Sequence, residues 1–148
     1  MPHAVSLYVI DIPLAVCRLA PDAPVPAWAV GGPFSSVTRT ADELSVVCAA
    51  AAVPAELPAP ARASRDWRAL RVDGPLDLAL VGVLAALAVP LADAGVSIFP
   101  IATHDTDWIL VPGAQLERAC DALARAGHEV QGREVRGREV RGREVRGR

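Results

Sequence analysis

The sequence contains no lysine; every one of its 15 basic residues is an arginine. Together with the abundance of alanine, this fits a GC-rich coding sequence rather than a functional demand. Only three cysteines are present, and Cys17, Cys48 and Cys120 lack the close spacing of a disulfide framework or a zinc site. Walker-type and dinucleotide glycine loops are missing, as is a GxSxG nucleophile elbow. No pair of acid and base residues stands at a spacing that defines general acid–base chemistry. No catalytic residue, metal ligand or cofactor is therefore assigned. The longest apolar run, Leu78 to Ala92, is too short for a bilayer and contains Pro90. The N-terminal MPHAVSLYVIDIP lacks a basic start and a small-residue cleavage site, so it does not read as a signal peptide. These absences lead to the expectation of a cytoplasmic protein that is not an enzyme and has no membrane partner.

What remains is apolar and compact in its signals. The chain has 148 residues, enough for one domain or two very small ones, and 52% of them are hydrophobic. Net charge is -2, but it is unevenly spread. Residues 1–132 carry eight arginines against fourteen acids, whereas residues 133–148 carry seven arginines against three glutamates. That last stretch repeats GREVR with a period of five, which suits neither a coiled coil nor a solenoid. Its low complexity and dense charge predict a disordered tail over 132–148. The interspersed glutamates dilute its basic character and argue against a nucleic-acid partner.

Read in order, the chain alternates strands with few helices. Residues 1–14 form a lead-in that includes a strand near Leu7–Ile12, and Ala15–Leu19 is a core strand beyond Pro13. Pro21–Pro26 is extended, and Gly31-Gly32-Pro33 is a turn. Phe34–Thr40 and Leu44–Ala49 flank the acidic turn Ala41-Asp42-Glu43 and read as a hairpin. Ser36, Thr38 and Thr40 share one side of it, either as a solvated face or as the wall of a pocket. Three prolines between Val53 and Ser64 mark a linker. Trp67–Val72 is a strand ended by Asp73-Gly74-Pro75. Leu76–Ala94 is the strongest helix, with Leu80, Leu84, Leu87 and Leu91 as its packing stripe, Asp77 in its first turn and Pro90 bending it. Val96–Ala102, a polar turn at Thr103–Asp107 and Trp108–Val111 form strand, turn and strand. Ala114–Ala126 is a helix stopped by Gly127, and His128–Val130 supplies a last strand. The second half is thus β-α-β-β-α-β, the ferredoxin-like order, and the first half is a shortened version of it.

The candidate site comes from backbone geometry. Gly95, Val96, Ser97 and Ile98 make a helix-to-strand corner where main-chain N–H and C=O groups can meet a small ligand without a side chain intervening. An amino acid offers a carboxylate to accept from the N–H groups and an ammonium to donate to the C=O groups. The alternative is that Gly95 merely ends its helix. His104, Asp105 and Asp107 are the most compact set of proton-handling residues, but a solvated turn explains them without a metal.

These stretches also carry a resemblance. The order Ala-Gly-Val-Ser-Ile, Thr, Thr-Asp-Trp-Ile-Leu-Val in Asp93–Gly113, with FSSVTRTADELSVVC and WRALRVDG upstream, resembles the ACT-domain family, in particular compact tandem-ACT bacterial proteins. These are similar in turn to the cytosolic arginine sensors of animals. The resemblance spans about Ala15 to Val130 and implies effector binding at such a corner, at the seam between two domains. It adds Thr103, Thr106 and Asp107, with Asp107 at the acidic position that meets a cationic ligand, through charge-assisted hydrogen bonds. His104-Asp105 departs from the family pattern, so ligand identity does not carry over.

The combined expectation is an α+β protein of two ferredoxin-like ACT halves with antiparallel sheets and helices on one face. The boundaries are an abbreviated N-terminal half at 15–64 and a C-terminal domain at 65–131. Its function is that of a non-catalytic regulatory sensor that binds an amino acid, self-associates as a homodimer and shifts population between states. The rival reading is a structural or protein-interaction module with a vestigial ligand site; a third is an enzyme using the His104 turn.

Overall fold

The computed structural model describes residues 4–134. The chain divides into two compact units, residues 1–11 with 68–148, and residues 12–67. Two strands contribute to both units: β1 (Ser6–Leu19) and β4 (Arg62–Val72). The expected lead-in therefore does not stand apart, since its first eleven residues belong to the larger unit.

β1 runs unbroken where the sequence reading split it at Pro13. The reason lies in its partners. Residues 6–10 pair with β7 (Glu129–Glu134), and residues 14–19 pair with β3 (Leu44–Ala49). Pro13 is exposed and falls between the two paired segments, where a missing N–H breaks neither ladder.

In the larger unit β4 is followed by α1 (Val83–Asp93), β5 (Phe99–Ala102), β6 (Asp107–Pro112), α2 (Leu116–Arg125) and β7. This is the β-α-β-β-α-β order read from the sequence. The spatial order is β7-β1-β4-β6-β5. The first part of β1 is thus inserted between two strands of the ferredoxin-like set, and it runs parallel to β7. Tyr8 pairs with Gln131 and Val9 with Arg133, so Gly132 is the extra residue of a bulge. β7 continues to Glu134, three residues beyond the expected start of the tail; residues 135–148 lie outside the described residues.

Alternation fixes the core of this unit. Leu7 and Val9, Leu70 and Val72, and Ile109 and Val111 point to one face, against Leu87 and Leu91 of α1 and Ala119 and Leu123 of α2. Both helices therefore cover the same face. On the other face Arg71 of β4 lies 5.0 Å from the ring centre of Tyr8 on β1 and 6.0 Å from that of Trp108 on β6. A guanidinium held over two rings adds a cation–π attraction across three neighbouring strands.

α1 is shorter than its apolar run. It begins at Val83, not Leu76. Asp77 does not serve a helix N-terminus; its Oδ1 accepts the Ala79 N–H at 2.8 Å and its carbonyl accepts the Leu80 N–H, a local turn that competes with helix. Gly82, at φ 89, then sits in the left-handed region. The buried stripe is Val83, Leu87 and Leu91, while Leu80 and Leu84 are exposed.

Pro90 lies inside α1 and has no N–H for the Ala86 carbonyl one turn earlier. The ring of His128 supplies the donor, Nε2 to Ala86 O at 3.0 Å. Its Nδ1 accepts the Val5 N–H at 3.3 Å, which fixes the neutral Nε2–H tautomer. His128 is only 7% exposed, and both ring nitrogens are satisfied.

The smaller unit has the order β2-β3-β1-β4, with β2 at Ser35–Arg39. The hairpin β2–β3 closes with the Thr40 N–H donating to the Glu43 carbonyl at 2.9 Å, and Thr40 Oγ1 accepts the N–H groups of Asp42 and Glu43. Among the described residues this unit holds 3-10 turns (Ala27–Ala29, Ala50–Ala52) and no α-helix. Its proline-rich loops are poor in N–H donors, and arginines make up the deficit. Arg39 donates to the carbonyls of Pro21 and Ala23, Arg65 to that of Pro54 and Arg18 to that of Asp42. The core is Ala15, Cys17 and Leu19 of β1 with Leu44, Val46 and Cys48 of β3.

Burial in this core, with the neighbouring Cys48 adding to it and Arg65 opposing, pushes the Cys17 thiol up to about 11 from its ordinary 9.0. A folded-state value above the unfolded one means that folding retains the proton. This contribution is intact below about pH 9 and declines as pH rises through about 11. Melting curves between pH 8 and 11 are expected to fall less steeply in Cys17→Ala than in the wild-type protein.

Replacing His128 with alanine strands the Ala86 carbonyl and the Val5 N–H, at a cost of about 2 kcal/mol. In a Pro90→Ala background, residue 90 regains an N–H for Ala86, and the same replacement should cost about 1 kcal/mol less. Urea unfolding of the four proteins measures this coupling.

Candidate functional site

Both helices of the larger unit end in the same way, and the sequence shows why: Leu91-Ala-Asp-Ala-Gly-Val96 and Leu123-Ala-Arg-Ala-Gly-His128 are near copies. In α1, Gly95 adopts φ 73, its N–H donates to Ala92 O at 3.0 Å, and the Val96 N–H donates to Leu91 O at 2.9 Å. In α2, Gly127 adopts φ 96, with Gly127 N–H to Ala124 O and His128 N–H to Leu123 O, each at 3.1 Å. These are paired Schellman caps, each followed at once by a strand. Val96 is buried against Leu91 in the core, and Ile98 packs beside it.

The first corner leaves the Gly95 carbonyl and the Ser97 N–H outside the cap, both on exposed residues. One side chain answers both. Gln115 Oε1 accepts the Ser97 N–H at 3.1 Å, and Gln115 Nε2 donates to Gly95 O at 3.5 Å. The amide orientation follows from this pairing, because the flipped form would set donor against donor. Gln115 stands at the N-cap of α2 but makes no cap bond with its side chain there. Its role was not anticipated from the sequence. The signal available was a glutamine at a position where Ser, Thr, Asp or Asn normally caps.

Thr103, Thr106 and Asp107 lie elsewhere, in and after the β5–β6 turn. The two hydroxyls hold that turn together: Thr103 Oγ1 donates to Thr106 O at 2.9 Å, and Thr106 Oγ1 donates to Val72 O at 2.5 Å. The loop after β4 is drawn onto the same turn, with the Leu76 N–H donating to Asp105 O at 2.6 Å. The approach is so close that a Cβ on Gly74 would sit 2.9 Å from the Asp105 carbonyl oxygen, so only glycine fits. Between loop and turn is a hollow of about 210 Å³, lined by Asp77, Leu78, Leu80, His104, Asp105 and Asp107 among others. Among the described residues three carboxylates and no arginine line it, so a cation is the complementary guest. His104 Nδ1 contacts Asp105 Oδ1 at 2.8 Å, but the two side chains are 84% and 73% exposed and form a solvent-screened pair.

The seven anticipated residues therefore fall into two groups separated by β5. At the rise of an extended strand, Ser97 and Ala102 are roughly 16 Å apart, too far for one small amino acid to touch both groups. A second hollow, of about 530 Å³, follows the outer side of α1 beside Ala85, Val89, Asp93, Ala126 and His128. Leu78, Leu80, Val81, Leu84 and Val89 are all exposed along this run, and no charged residue occurs between Asp77 and Asp93. Among the described residues no group of three or more His, Cys, Asp or Glu is placed to hold a metal ion, and no helix is long and apolar enough to cross a membrane.

Comparison with known proteins gives this geometry a context. A family model described as an ACT domain matches residues 62–125, and a model of an N-terminal domain matches residues 13–56. No curated protein matches the chain. Among solved structures, a protein of Agobacterium tumefaciens is 33% identical with a TM-score of 0.80, over 89% of this chain and 96% of its own. The regulatory subunit of aspartate kinase from Thermus flavus is 16% identical with a TM-score of 0.61, over 84% of this chain and 99% of its own. An allosteric aspartate kinase of Clostridium acetobutylicum is 11% identical with a TM-score of 0.63, over 82% of this chain and 34% of its own. At these lower identities the likeness is one of fold, and it agrees with the α+β arrangement of two halves, the first without an α-helix. On the family model and this set of structural relatives, the chain belongs to the ACT-domain family, whose regulatory members share its fold.

Proposed function

We propose that this protein is a non-catalytic regulator that binds an amino acid at the corner Gly95–Ile98 and self-associates. The observation that carries the reading is the Gly95 carbonyl and Ser97 N–H, set outward as an acceptor and donor pair that a single polar group bridges. An α-amino acid carries the matching ammonium and carboxylate. The relatives named as aspartate kinase regulatory subunits favour this role, since regulation of such an enzyme is allosteric by nature. Asp107, with Asp77 and Asp105, gives the hollow below the turn a preference for a cationic group and makes it a second point of contact for a basic ligand. We place the protein in the cytoplasm, where such a metabolite is available.

Self-association would use the uncharged run on and before α1, and its occupant is a second copy of this chain. The five exposed Leu and Val side chains present on the order of 500 Å² per copy, and roughly 1,000 Å² over a pair sits at the threshold of a specific interface. Introducing a charge with Val81→Asp and Val89→Arg should leave the chain at its monomer mass of 15.5 kDa in light scattering. A wild-type protein that is already monomeric at hundreds of micromolar would remove this part of the proposal.

A second reading has its own observation. A protein-interaction module with a vestigial site should show the corner filled by a side chain and an apolar patch elsewhere, and Gln115 with the Leu78–Val89 run supplies both. A thermal-shift panel of the twenty amino acids against the full chain separates the two. Ligand at a hundred times its dissociation constant adds about 2.7 kcal/mol, enough to raise the midpoint by several degrees. One amino acid standing out is the expected result, and a flat panel would favour the interaction module. If the responding amino acid is basic, Asp107→Ala should abolish its shift while the apo midpoint stays within about a degree. An unchanged affinity would remove Asp107 from the site.

A further inference from the structure

We infer that Gln115 is an internal stand-in for the ligand: its carboxamide occupies the Gly95–Ser97 corner and must leave for an amino acid to bind there. The inference rests on the corner being the binding site and adds how occupancy is controlled. A carboxamide presents one acceptor and one donor side by side, and an α-amino acid presents a carboxylate and an ammonium in the same sense. Gln115 Oε1 takes the Ser97 N–H and Gln115 Nε2 gives to the Gly95 carbonyl, so the two contacts expected of a ligand are already made by the chain itself.

Three features separate this contact from an ordinary tether. The partners are 18 and 20 residues away in sequence and lie on exposed residues, so the contact closes a surface corner and fills no core gap. The corner does not need the contact to form, because its turn is complete within Leu91–Val96 through the two cap bonds. The sister corner, with the same Ala-Gly sequence, needs no such bridge; its His128 N–H and Gly127 N–H are bonded within their own turn. Gln115 also sits where α2 begins, so its release changes the environment of the first residue of that helix. A ligand that displaces it thereby reports its presence to α2, and through the contact of α2 with α1 to the uncharged face.

The test uses the full ¹⁵N-labelled chain with glycine as probe, since glycine carries only the groups that meet the corner. In the wild-type protein the Ser97 amide should be protected from hydrogen exchange, and Gln115→Ala should raise its exchange rate about tenfold with neighbouring amides unmoved. Removing an internal competitor worth one ordinary hydrogen bond should lower the glycine concentration that half-saturates the Ser97 shift by about fivefold. Gln115→Met, which keeps the bulk and loses both polar atoms, should behave as Gln115→Ala does, and it guards against a local collapse. Equal half-saturation in wild type and both variants would overturn the stand-in role while leaving the corner as the site. Weaker binding in the variants would also overturn it, by making Gln115 a ligand contact. A Ser97 amide that follows glycine in none of the three proteins would overturn both the stand-in and the corner. An amino acid that stands out in the thermal panel would then be bound elsewhere.

Discussion

A carbonyl without a partner organises the larger unit. Pro90 denies Ala86 its helical N–H, and a polar group left unpaired inside packed structure is costly enough to demand an answer. The answer is His128, which stands just past the end of α2 and reaches α1 with one nitrogen and Val5 with the other. One ring thereby joins two helices and the approach to β1, the strand inserted into the ferredoxin-like set. A proline in mid-helix is usually a defect; here it leaves an acceptor that only the correctly docked partner helix can fill, so it specifies how the helices meet.

The same economy applies to the two corners. Both are made by an Ala-Gly end with glycine in the left-handed region, so both turn a helix into a strand with no side chain over the bend. They differ in the residue after the glycine. Gly127 is succeeded by a histidine whose ring is committed to the interior. Gly95 is succeeded by a valine that buries itself and leaves the next N–H to the surface. Two identical backbone devices thus give one closed corner and one open to exchange, and the difference rests on a single side chain in each.

Much of this was legible in the sequence because it is written in local signals. The glycines at 95 and 127, the hairpin around Thr40–Glu43, the second-half order and the missing first helix all follow from turn chemistry and periodicity. Three features were not. The start of α1 was misplaced because an unbroken apolar run hides Gly82 and the local bonds of Asp77, which end helical geometry without any change in hydropathy. β1 looked divided at Pro13 because a sequence does not say which residues of a strand have no partner to lose. The reach of Gln115 to Gly95 and Ser97 depends on tertiary placement, and nothing in the spacing of 18 and 20 residues announces it. The grouping of site residues failed for a related reason: Ser97 and Asp107 are close in sequence, yet the strand between them holds them apart.

A regulator needs an element with two arrangements of similar energy, and the molecule contains a contact of about that strength. A bridge made of one good and one long hydrogen bond on the surface is worth little net, because water offers nearly the same bonds. Such a bridge is made and lost easily, unlike the buried contacts of His128. The cost of displacing it is small enough for a metabolite-sized ligand, whose own contacts replace it like for like. The energy that drives any larger response must come from elsewhere, and the uncharged run from Leu78 to Val89 is where apolar area remains to be buried. Recognition and response are thus separated in this fold: polar exchange at the end of α1, apolar burial along its side. The helix connects them, because the residues that end it at Gly95 and those that expose Val89 belong to the same two turns.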